Sequence, residues 1–410
     1  MIFLYRLGIF LFKIAANVAS FFNPKASKFI KGREFLWESL YRIDRSSLLI
    51  WIHCSSLGEF EQGRPLIEKI KTQYPEYKIL LTFFSPSGYE IRKNYLYADY
   101  VTYLPLDTPH NARKFLEIVK PDKVFFIKYE FWYFLLRELH RKGIETYLIS
   151  GIFRKSQYFF QWYGKPFRKM LGWFQWIFVQ ETASYKLLSS YGFKRVLLSG
   201  DTRLDRVVQL AEEAKSIPVV KKFKGQHPLL VAGSTWKKDE DLLLNYYRQH
   251  ETFFKMIVAP HKVEENNIER IIYNLKDYKV IRYSKAEGEN VSGTDVLIID
   301  CIGLLASLYR YGDFAYIGGG FGKGIHNLAE AATWNIPVVF GPNYKKFKEA
   351  NDLIDVGGGF SIHDYHSLES IFNRFMNNPE FLSKAGKVAG KYIGQNAGAT
   401  EQIMQNVFGN

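Results

Sequence analysis

The distribution of short apolar runs along the chain restricts its fold more than any other feature. From Leu48 onward, runs of strand length alternate with amphipathic segments of helix length; the first seven runs are LLIWIH, KILLTFF, YVTYLPL, KVFFIK, ETYLIS, WIFVQ and RVLLSG. Continuous apolar strands separated by helices are typical of parallel sheets buried on both faces. The rhythm stops in AEEAKSIPVVKKFKGQHP and restarts with PLLVAGS, FKMIVAP, KVIRYS, VLIID, FAYIGGG and PVVFGP. The sequence therefore predicts an α/β protein with two doubly wound, Rossmann-like domains.

The length of the chain and this pause predict the domain boundaries. A chain of 410 residues exceeds the size at which one hydrophobic core keeps growing. We predict an N-terminal helix that associates with a membrane (1–33), a first Rossmann-like domain (34–205), a linker (206–225), a second such domain (226–385) and a C-terminal helix (386–410). Because ligands of these domains bind outside the carboxyl ends of the strands, a cleft between the domains would collect both sets of loops.

Charge and cysteine content narrow the classes of partner. The formal net charge of +14 attracts nucleic acid, phosphorylated glycans or anionic lipid, and the aromatic content of 17% suggests an apolar contact surface in addition to two cores. Neither Cys54 nor Cys301 lies in a CxxC or His-spaced pattern. We therefore predict no disulfide framework, no metal site and a reducing compartment.

The N-terminal segment is strongly apolar but carries two charges. Its first 24 residues, MIFLYRLGIFLFKIAANVASFFNP, include Arg6 and Lys13. Because a transmembrane helix usually needs about 20 apolar residues with few charges, a helix lying in the membrane interface fits better. The four basic residues between positions 25 and 33 favour anionic lipid. A signal peptide is the competing interpretation, although no small-residue cleavage site is evident.

Two glutamates stand at the carboxyl ends of strands in the first domain. Glu59 follows LLIWIH, in a loop with Ser55, Ser56 and Gly58. A carboxylate shielded by its own loop can act as general base toward a hydroxyl, whereas the alternative is a capping box between Ser56 and Glu59. Glu130 follows KVFFIK. It would orient a donor or balance an arginine, or it would pair with a lysine of its own domain.

A glycine-rich turn at residues 318–324 follows a strand of the second domain. We expect a helix to open after it at His326 and Asn327, with Glu330 in its first turn. Glycines let an anion approach backbone N–H groups, and a helix N-terminus with a nearby acid suits phosphate and ribose. This predicts a nucleotide site that includes Gly319 and Gly320. The alternative is an ordinary strand-to-helix turn with Glu330 as a first-turn charge.

Other polar residues follow strands elsewhere. Arg203, near the domain junction, can bind a phosphate or a sugar carboxylate with its planar guanidinium. Ser234 and Thr235 would bind phosphate or cap the next helix. Further strand ends of the second domain carry Pro260 and His261, and Ile302 and Gly303. There is no P-loop, and no ribose-binding acid follows the glycine turn at the usual distance, so we predict no redox cofactor.

Several of these motifs together resemble the family of 3-deoxy-D-manno-octulosonic acid (Kdo) transferases. The resemblance covers nearly the whole chain and rests on HCSSLGEFEQG, KYEFWYF, SGDTRLDR, the residues from Ala232 onward, HNLAEAA and VVFGPN. It implies a GT-B fold and an inverting, metal-independent transfer of Kdo from CMP-Kdo to a lipid A precursor. It also implies a location at the cytoplasmic face of the cell inner membrane.

The same resemblance implies roles for individual residues. Glu59 would be the general base in an acceptor-binding first domain, with Ser55, Ser56 and Gly58 on the acceptor side, and the second domain would bind CMP-Kdo. Arg203 would face the sugar donor. The family usually has Arg in place of His261 and an acid in place of Leu304, so contacts from the backbone are expected there. The residues implied to hold or line the nucleotide are Pro260, His261, Ile302, Gly303, Leu304, Asn327, Leu328, Ala329 and Glu330.

The expected partners are CMP-Kdo, a lipid A precursor and a membrane surface with anionic lipid, but not nucleic acid. Residues 155–169, in which lysines alternate with aromatic residues, are predicted to help contact the membrane or the acceptor. Two other functions stay open: a GT-B transferase that uses a UDP-sugar, and a non-catalytic binder of anionic lipid or nucleic acid. The second leaves unexplained why Glu59 and Glu130 both stand at strand ends.

Overall fold

The computed structural model describes residues 2–250 and 254–409, which form two compact units. The first unit combines the chain up to Arg206 with the segment from Gly398 onward, and the second runs from Val207 to Ala397. Each unit contains a seven-stranded sheet in which all neighbouring strands are parallel. The predicted α/β class with two doubly wound units is confirmed.

The strands in chain order are β1 (Leu49–Cys54), β2 (Lys78–Phe83), β3 (Tyr100–Tyr103), β4 (Lys123–Ile127), β5 (Glu145–Gly151), β6 (Trp176–Val179), β7 (Val196–Leu198), β8 (Leu229–Thr235), β9 (Lys255–Pro260), β10 (Val280–Arg282), β11 (Val296–Ile298), β12 (Phe314–Ile317), β13 (Val338–Phe340) and β14 (Gly359–Ser361). The helices before the second unit's sheet are α1 (Ile2–Ser20), α2 (Pro24–Lys31), α3 (Leu36–Tyr41), α4 (Leu57–Gln73), α5 (Pro86–Arg92), α6 (Pro109–Val119), α7 (Tyr133–Arg141), α8 (Lys165–Leu171), α9 (Thr182–Ser190), α10 (Thr202–Glu212) and α11 (Pro218–Lys224). Those that follow are α12 (Lys237–Gln249), α13 (Glu265–Asn274), α14 (Leu305–Leu308), α15 (Ala329–Ala332), α16 (Lys348–Val356), α17 (Tyr365–Asn377), α18 (Pro379–Asn396) and α19 (Ala399–Phe408).

Strand β1 shows why continuous apolar runs form these sheets. All six of its residues are buried. Because successive side chains of a strand point to opposite faces, Leu49 and Trp51 join one hydrophobic layer while Ile50, Ile52 and Cys54 join the other. A strand covered by helices on both sides therefore has no polar face to show in its sequence.

The strand order of each sheet reverses at one point. In the first unit the order is β3-β2-β1-β4-β5-β6-β7, so the chain moves outward from β1 and returns to its other side at β4. In the second unit the order is β10-β11-β9-β8-β12-β13-β14, and the reversal lies between β8 and β12. Ligands of open α/β sheets bind at the carboxyl ends of the strands beside such a switch point. These two places are where the polar residues described below collect.

Three features differ from the sequence-based description. The passage expected to be a linker carries the end of α10 and the whole of α11, whose Val220 and Phe223 are buried. The stretch expected to be one C-terminal helix contains the end of α18 and all of α19, with Gly398 between them in a left-handed conformation (φ 102°). Strand β14 is absent from the predicted series because it has only three residues, begins with glycine and lies at the sheet edge.

Candidate functional site

A histidine and a glutamate meet at the switch point of the first unit. His53 is in β1 and Glu130 follows β4, and both side chains are buried. His53 Nε2 lies 3.0 Å from Glu130 Oε2, and the indole of Trp132 donates to the same oxygen at 2.6 Å. On its other side, His53 Nδ1 lies 2.8 Å from the hydroxyl of Thr82 in β2. A buried carboxylate needs such partners, so these four residues form a preorganised polar centre.

Glu59 lies in the first turn of α4 and belongs to the same electrostatic centre. Its Oε2 accepts hydrogen bonds from the backbone N–H of Ser56 at 2.9 Å and from the Ser56 hydroxyl at 3.1 Å. The capping box therefore exists. It occupies one carboxylate oxygen only, and Oε1 has no hydrogen-bond partner among the described residues. Capping the helix does not exclude a role as base.

The two carboxylates have opposite pKa shifts. Burial, and then the nearby charge of Glu130, raise the pKa of Glu59 to about 7, and the hydrogen bonds from Ser56 oppose this only in part. Burial also acts to raise the pKa of Glu130, but hydrogen bonds from His53, Ser55 and Trp132 outweigh it and hold that pKa below its ordinary value. One carboxylate is thus ionised while its neighbour exchanges protons near neutrality, an arrangement suited to acid–base chemistry.

The residues expected on the acceptor side have distinct local roles. Ser55 hydrogen bonds to Glu130, and Ser56 is the N-cap residue of α4. Gly58 is exposed, and a methyl group added there would meet nothing closer than the Ser56 hydroxyl at 4.0 Å. The two serine hydroxyls therefore hold the two carboxylates in place.

Sequence reasoning assigned no role to four residues at this centre, namely His53, Thr82, Trp132 and Lys128. His53 and Thr82 pair across neighbouring strands, and Lys128 acts electrostatically on Glu59 to lower its pKa. Lys128 has a left-handed backbone (φ 69°), a strained conformation for a residue with a side chain. A histidine inside an otherwise apolar strand is the one sequence signal that marks this group.

Helix α1 lies against the first unit and borders two cavities. The Tyr5 hydroxyl donates to the buried Asp107 at 2.7 Å, and the Phe12 ring packs 6.0 Å from Phe84. A cavity of about 440 Å³ is lined by Phe12, Ala15, Ala16 and Ala19 of α1 together with Phe84, whose ring lies 4.7 Å from Trp132. A second cavity, of about 610 Å³, includes Arg6 and Lys13 in its lining. Apolar surface therefore extends from α1 through Phe84 to Trp132, whose indole donates a hydrogen bond to Glu130.

Much of the surface of α1 stays exposed and apolar. Among the described residues, α1 is the one helix whose length and composition would allow it to cross a membrane. Phe3 is 73% exposed and Leu4 is 65% exposed, and Phe21 and Phe22 beyond the helix are more exposed still. Exposed apolar surface of this extent is typical of interaction sites, and the membrane contact of α1 stays a prediction.

The lysine-rich aromatic segment is only partly a surface feature. Phe159 and Phe160 are buried in the core of the first unit, and Phe167 packs against it. Trp162 is 92% exposed, and Lys155, Lys165 and Lys169 are also exposed. The aromatic residues available to a membrane or an acceptor are thus fewer than their spacing in the sequence suggests.

In the second unit, three rings stack at the carboxyl ends of adjacent strands. The centroid of Trp236, after β8, lies 4.6 Å from that of His261, after β9. The His261 centroid lies 4.4 Å from that of His326, which follows β12 and the glycine turn. The Trp236 indole donates to His326 Nε2 at 3.1 Å. We call these residues the ring stack.

Close packing of the backbone requires glycine at two positions of this turn. A methyl group on Gly318 would lie 2.2 Å from the carbonyl oxygen of Ser234, and one on Gly320 would lie 2.6 Å from Gly341 Cα. The N–H of Gly318 donates to Gly233 and that of Gly319 donates to Asp239, both at 2.9 Å. The N–H of Gly319 therefore already has an acceptor in this arrangement, and the role of Gly319 and Gly320 in a nucleotide site stays a prediction.

The helix after the turn begins later than expected. Helix α15 starts at Ala329, and Glu330 is in its first turn. Asn327 is exposed; its amide donates to Glu330 Oε1 at 2.9 Å and its carbonyl accepts from the N–H of Ala329. The side chains of Leu328 and Ala329 are buried, so these two residues offer only backbone groups to a ligand.

The other residues that the sequence suggests as phosphate or sugar ligands lie in both units. Thr235 is buried and donates to Glu240 at 3.0 Å, and the residue that caps α12 is Trp236, so Thr235 does not cap this helix and its contact with phosphate stays a prediction. Its neighbour Ser234 has a left-handed backbone. Arg203 belongs to the first unit and pairs with Asp201.

The structure brings Thr235 and Pro260 together as partners on β8 and β9, next to His261 of the ring stack. The turn after β11 contains the exposed Ile302, Gly303 with φ 96°, and the half-buried Leu304. Among residues 2–250 and 254–409, no group of three or more His, Cys, Asp or Glu side chains is placed to hold a metal ion.

The chain is similar to one family of known enzymes. Residues 30–206 match the family model described as 3-deoxy-D-manno-octulosonic-acid transferase (kdotransferase). The 3-deoxy-D-manno-octulosonic acid transferase of Aquifex aeolicus is 28% identical over 359 residues, which cover 84% of this chain and 91% of that protein. The enzyme of the same name from Haemophilus influenzae is 25% identical, over 87% of this chain and 85% of its own length.

Solved structures resemble the fold. UDP-GlcNAc 2-epimerase from Neisseria meningitidis matches with a TM-score of 0.60 and 17% identity. The match covers 88% of this chain and 100% of the epimerase chain. MurG from Acinetobacter baumannii has a TM-score of 0.56 with 11% identity, over 88% of this chain and 99% of its own. At these identities the likeness concerns the fold, which is of the GT-B class.

Proposed function

Because the chain belongs to the family of 3-deoxy-D-manno-octulosonic acid (Kdo) transferases, we propose that it transfers Kdo from CMP-Kdo to a hydroxyl of a lipid A precursor. The chain is a glycosyltransferase with a GT-B fold. The observation that most supports the proposed chemistry is the pair of carboxylates at the first unit's switch point, one held ionised and one titrating near pH 7.

Glu59 is the general base of the proposed reaction. Its carboxylate takes the proton of the acceptor hydroxyl while that oxygen attacks the anomeric carbon of Kdo. The bond from that carbon to the phosphate oxygen breaks, CMP leaves with the electron pair, and the attack from the opposite face inverts the configuration. A base with a pKa near the working pH combines a sufficient deprotonated fraction with useful basicity. The raised pKa of Glu59 meets this requirement.

Glu130 and His53 act as positioning residues. The charge of Glu130 helps to raise the pKa of Glu59, and His53 holds Glu130 from the adjacent strand. A carboxylate that lost its histidine partner would be protonated more readily in this buried place, and its effect on Glu59 would fall. The pair therefore adjusts the basicity of Glu59 without contacting the acceptor.

The second unit is the proposed site of the nucleotide. The ring stack stands at the switch point between β8 and β12, where ligands of doubly wound sheets bind. Asn327 and Glu330 lie on the same segment as His326 and are suited to ribose hydroxyls. Because the N–H of Gly319 is already bonded, side chains of the stack replace the glycine turn as the main candidates for phosphate contact.

The acceptor and the membrane are proposed to meet the first unit along α1. The exposed apolar face of the helix, the cavity that reaches Phe84 and the net charge of +14 all suit a phosphorylated, acylated lipid. An interfacial position of α1 agrees with its inner face being packed on Asp107 and Phe84. A location at the cytoplasmic face of the inner membrane is proposed from the family resemblance, and the exposed apolar face of α1 is compatible with it.

Incubation of the purified full chain with CMP-Kdo and a tetraacylated lipid A precursor tests the proposal. Mass spectrometry of the lipid should show the addition of Kdo, and the Glu59→Gln variant should lose this product while it still binds CMP. Parallel thermal-shift measurements with CMP and UDP distinguish this donor from a UDP-sugar. A lipid left unmodified by the folded wild type, or stabilisation by UDP alone, would contradict the proposal.

A further inference from the structure

Two imidazole rings lie face to face in the ring stack. The interplanar angle between His261 and His326 is 26°, and that between Trp236 and His261 is 23°. Two imidazolium ions at a centroid distance of 4.4 Å would repel each other strongly. At most one of the two histidines can therefore be an imidazolium ion, unless an anion binds at the stack.

The indole of Trp236 determines which histidine stays neutral. An indole N–H can only donate, so His326 Nε2, 3.1 Å away, must be the unprotonated acceptor nitrogen of a neutral ring. The pKa of His326 points the same way: burial, and then the proximity of His261, lower it, although Asp239 acts in the opposite direction. His326 is thus held in its neutral form.

His261 is the ring of the pair that is open to solvent. Its backbone N–H donates to Thr235, but among the described residues its side chain has no hydrogen-bond partner. It stacks on the indole of Trp236, whose face stabilises a cation, and on the neutral imidazole of His326. A proton added to the stack is therefore best placed on His261.

The charged groups around the ring stack leave this proton without a carboxylate partner. Asp239 is buried and already accepts from the Tyr316 hydroxyl and from two backbone N–H groups. Glu264 pairs with Lys262, which follows His261, at 3.7 Å. The other carboxylates on the adjoining segments also have partners: Glu240 pairs with Arg270, Asp241 pairs with Lys237, Asp300 accepts from Ser284, and Glu330 accepts from Asn327. An anion that binds at the stack would therefore meet no unpaired carboxylate among these residues.

We propose that His261 binds the phosphate of the nucleotide donor as an imidazolium ion, so that donor binding takes up a proton from the solvent. The proton goes to the His261 ring, and the phosphate oxygen accepts its hydrogen bond. This inference rests on the proposed function, because it takes a cytidine nucleotide as the ligand. Its consequence is that affinity falls as the pH rises, by up to about tenfold per pH unit for one linked proton.

Calorimetry with the full chain tests this linkage. The probe is the methyl ester of CMP, a phosphodiester that does not itself titrate near neutral pH. Titrations at pH 8 in buffers of different ionisation enthalpy give the number of protons taken up per nucleotide bound. For the wild type we expect a clear uptake that approaches one proton, and a dissociation constant that rises with pH up to about tenfold per unit.

Three variants locate the proton. His261→Arg supplies a permanent charge, so it should bind the ester with no proton uptake and with little dependence on pH. His261→Gln should also show no uptake and should bind about tenfold or more weakly, because a charge-assisted hydrogen bond is lost. His326→Gln should keep the uptake. Because His261 is exposed, its variants are expected to keep the wild-type melting temperature.

The outcomes separate this inference from the proposed function. Binding of the ester by the wild type without proton uptake would overturn the proton-linked role and leave the nucleotide site intact. Uptake that persists in His261→Gln, or disappears in His326→Gln, would also overturn it, because the proton would then lie elsewhere. No binding of either the ester or CMP by the folded wild type would overturn both.

Discussion

His53 Nε2 lies 3.0 Å from Glu130 Oε2, with both side chains buried at the carboxyl ends of adjacent strands. The pair is flanked by Thr82 on β2 and by Trp132 before α7, so it is held from both sides. Glu130 in turn helps to raise the pKa of Glu59. This relationship connects the strand order of the first unit to the proposed basicity of its catalytic residue.

Turnover should decrease as the medium becomes more acidic. Since the proposed base works deprotonated and the pKa of Glu59 is raised to about 7, kcat at saturating donor should fall below about pH 7. Removing the neighbouring charge with Glu130→Gln should lower that pKa and move the acidic limb to lower pH. The measurement is a pH–rate profile of lipid product formation. An acidic limb at the same pH in both proteins would contradict the electrostatic role of Glu130.

Glu59→Gln should lower kcat by about 10²–10⁴-fold, because general base catalysis typically contributes this much. A glutamine still accepts the hydrogen bonds that cap α4, so the fold and the affinity for CMP should not change. Glu61→Gln, two residues further along α4, is the matched control. The wild-type Glu61 carboxylate pairs with Arg92, and the variant should keep near wild-type turnover. Comparable losses in the two variants would argue against the assignment.

His53→Ala should destabilise the first unit substantially. It leaves the buried Glu130 without one of its hydrogen-bond partners, and leaving a buried polar group unsatisfied in this way typically costs about 1–3 kcal/mol. The double variant His53→Ala/Glu130→Gln should lose less than the sum of the two single variants, because no uncompensated carboxylate remains. Chemical denaturation followed by tryptophan fluorescence gives the three values. Strict additivity would show that the two side chains do not interact.

The outer face of α1 should determine membrane binding. Leu4→Glu/Leu11→Glu places two charges on exposed positions of that face and should reduce cosedimentation with vesicles that contain anionic lipid. Tyr273→Glu changes an equally exposed aromatic residue of the second unit and should bind like the wild type. Unchanged binding by the α1 variant would remove the helix from the proposed membrane contact.

Two glycines of the same turn should respond differently to alanine. A methyl group on Gly320 would lie 2.6 Å from the backbone of Gly341, whereas one on Gly322 would lie 3.5 Å from its nearest neighbour. Overpacking typically costs about 1–3 kcal/mol, so Gly320→Ala should lower the free energy of unfolding while Gly322→Ala should not. Equal stabilities in thermal denaturation would count against close packing as the reason for the glycine.

Local patterns in the chain predict much of this molecule. The parallel sheets follow from apolar runs such as LLIWIH, and the placement of Glu59 and Glu130 after strands follows from where these runs end. The family resemblance and the fold class were also predicted and are confirmed. Strand β14 was missed because three residues that begin with glycine carry no periodicity. Residue-level roles in the two sites stay predictions.

Most strands and helices can be located from the amino-acid sequence, because hydrophobic periodicity is a local property of neighbouring residues. Which strand ends are neighbours depends on the folded arrangement of the whole unit. His53 and Glu130 are 77 positions apart, and they meet because β4 returns beside β1. In the same way, Asp239 reaches the N–H of Gly319 across 80 positions and removes a donor that the glycine pattern had suggested for an anion. Hydrogen-bond partners of this kind depend on strand order, which no local pattern encodes.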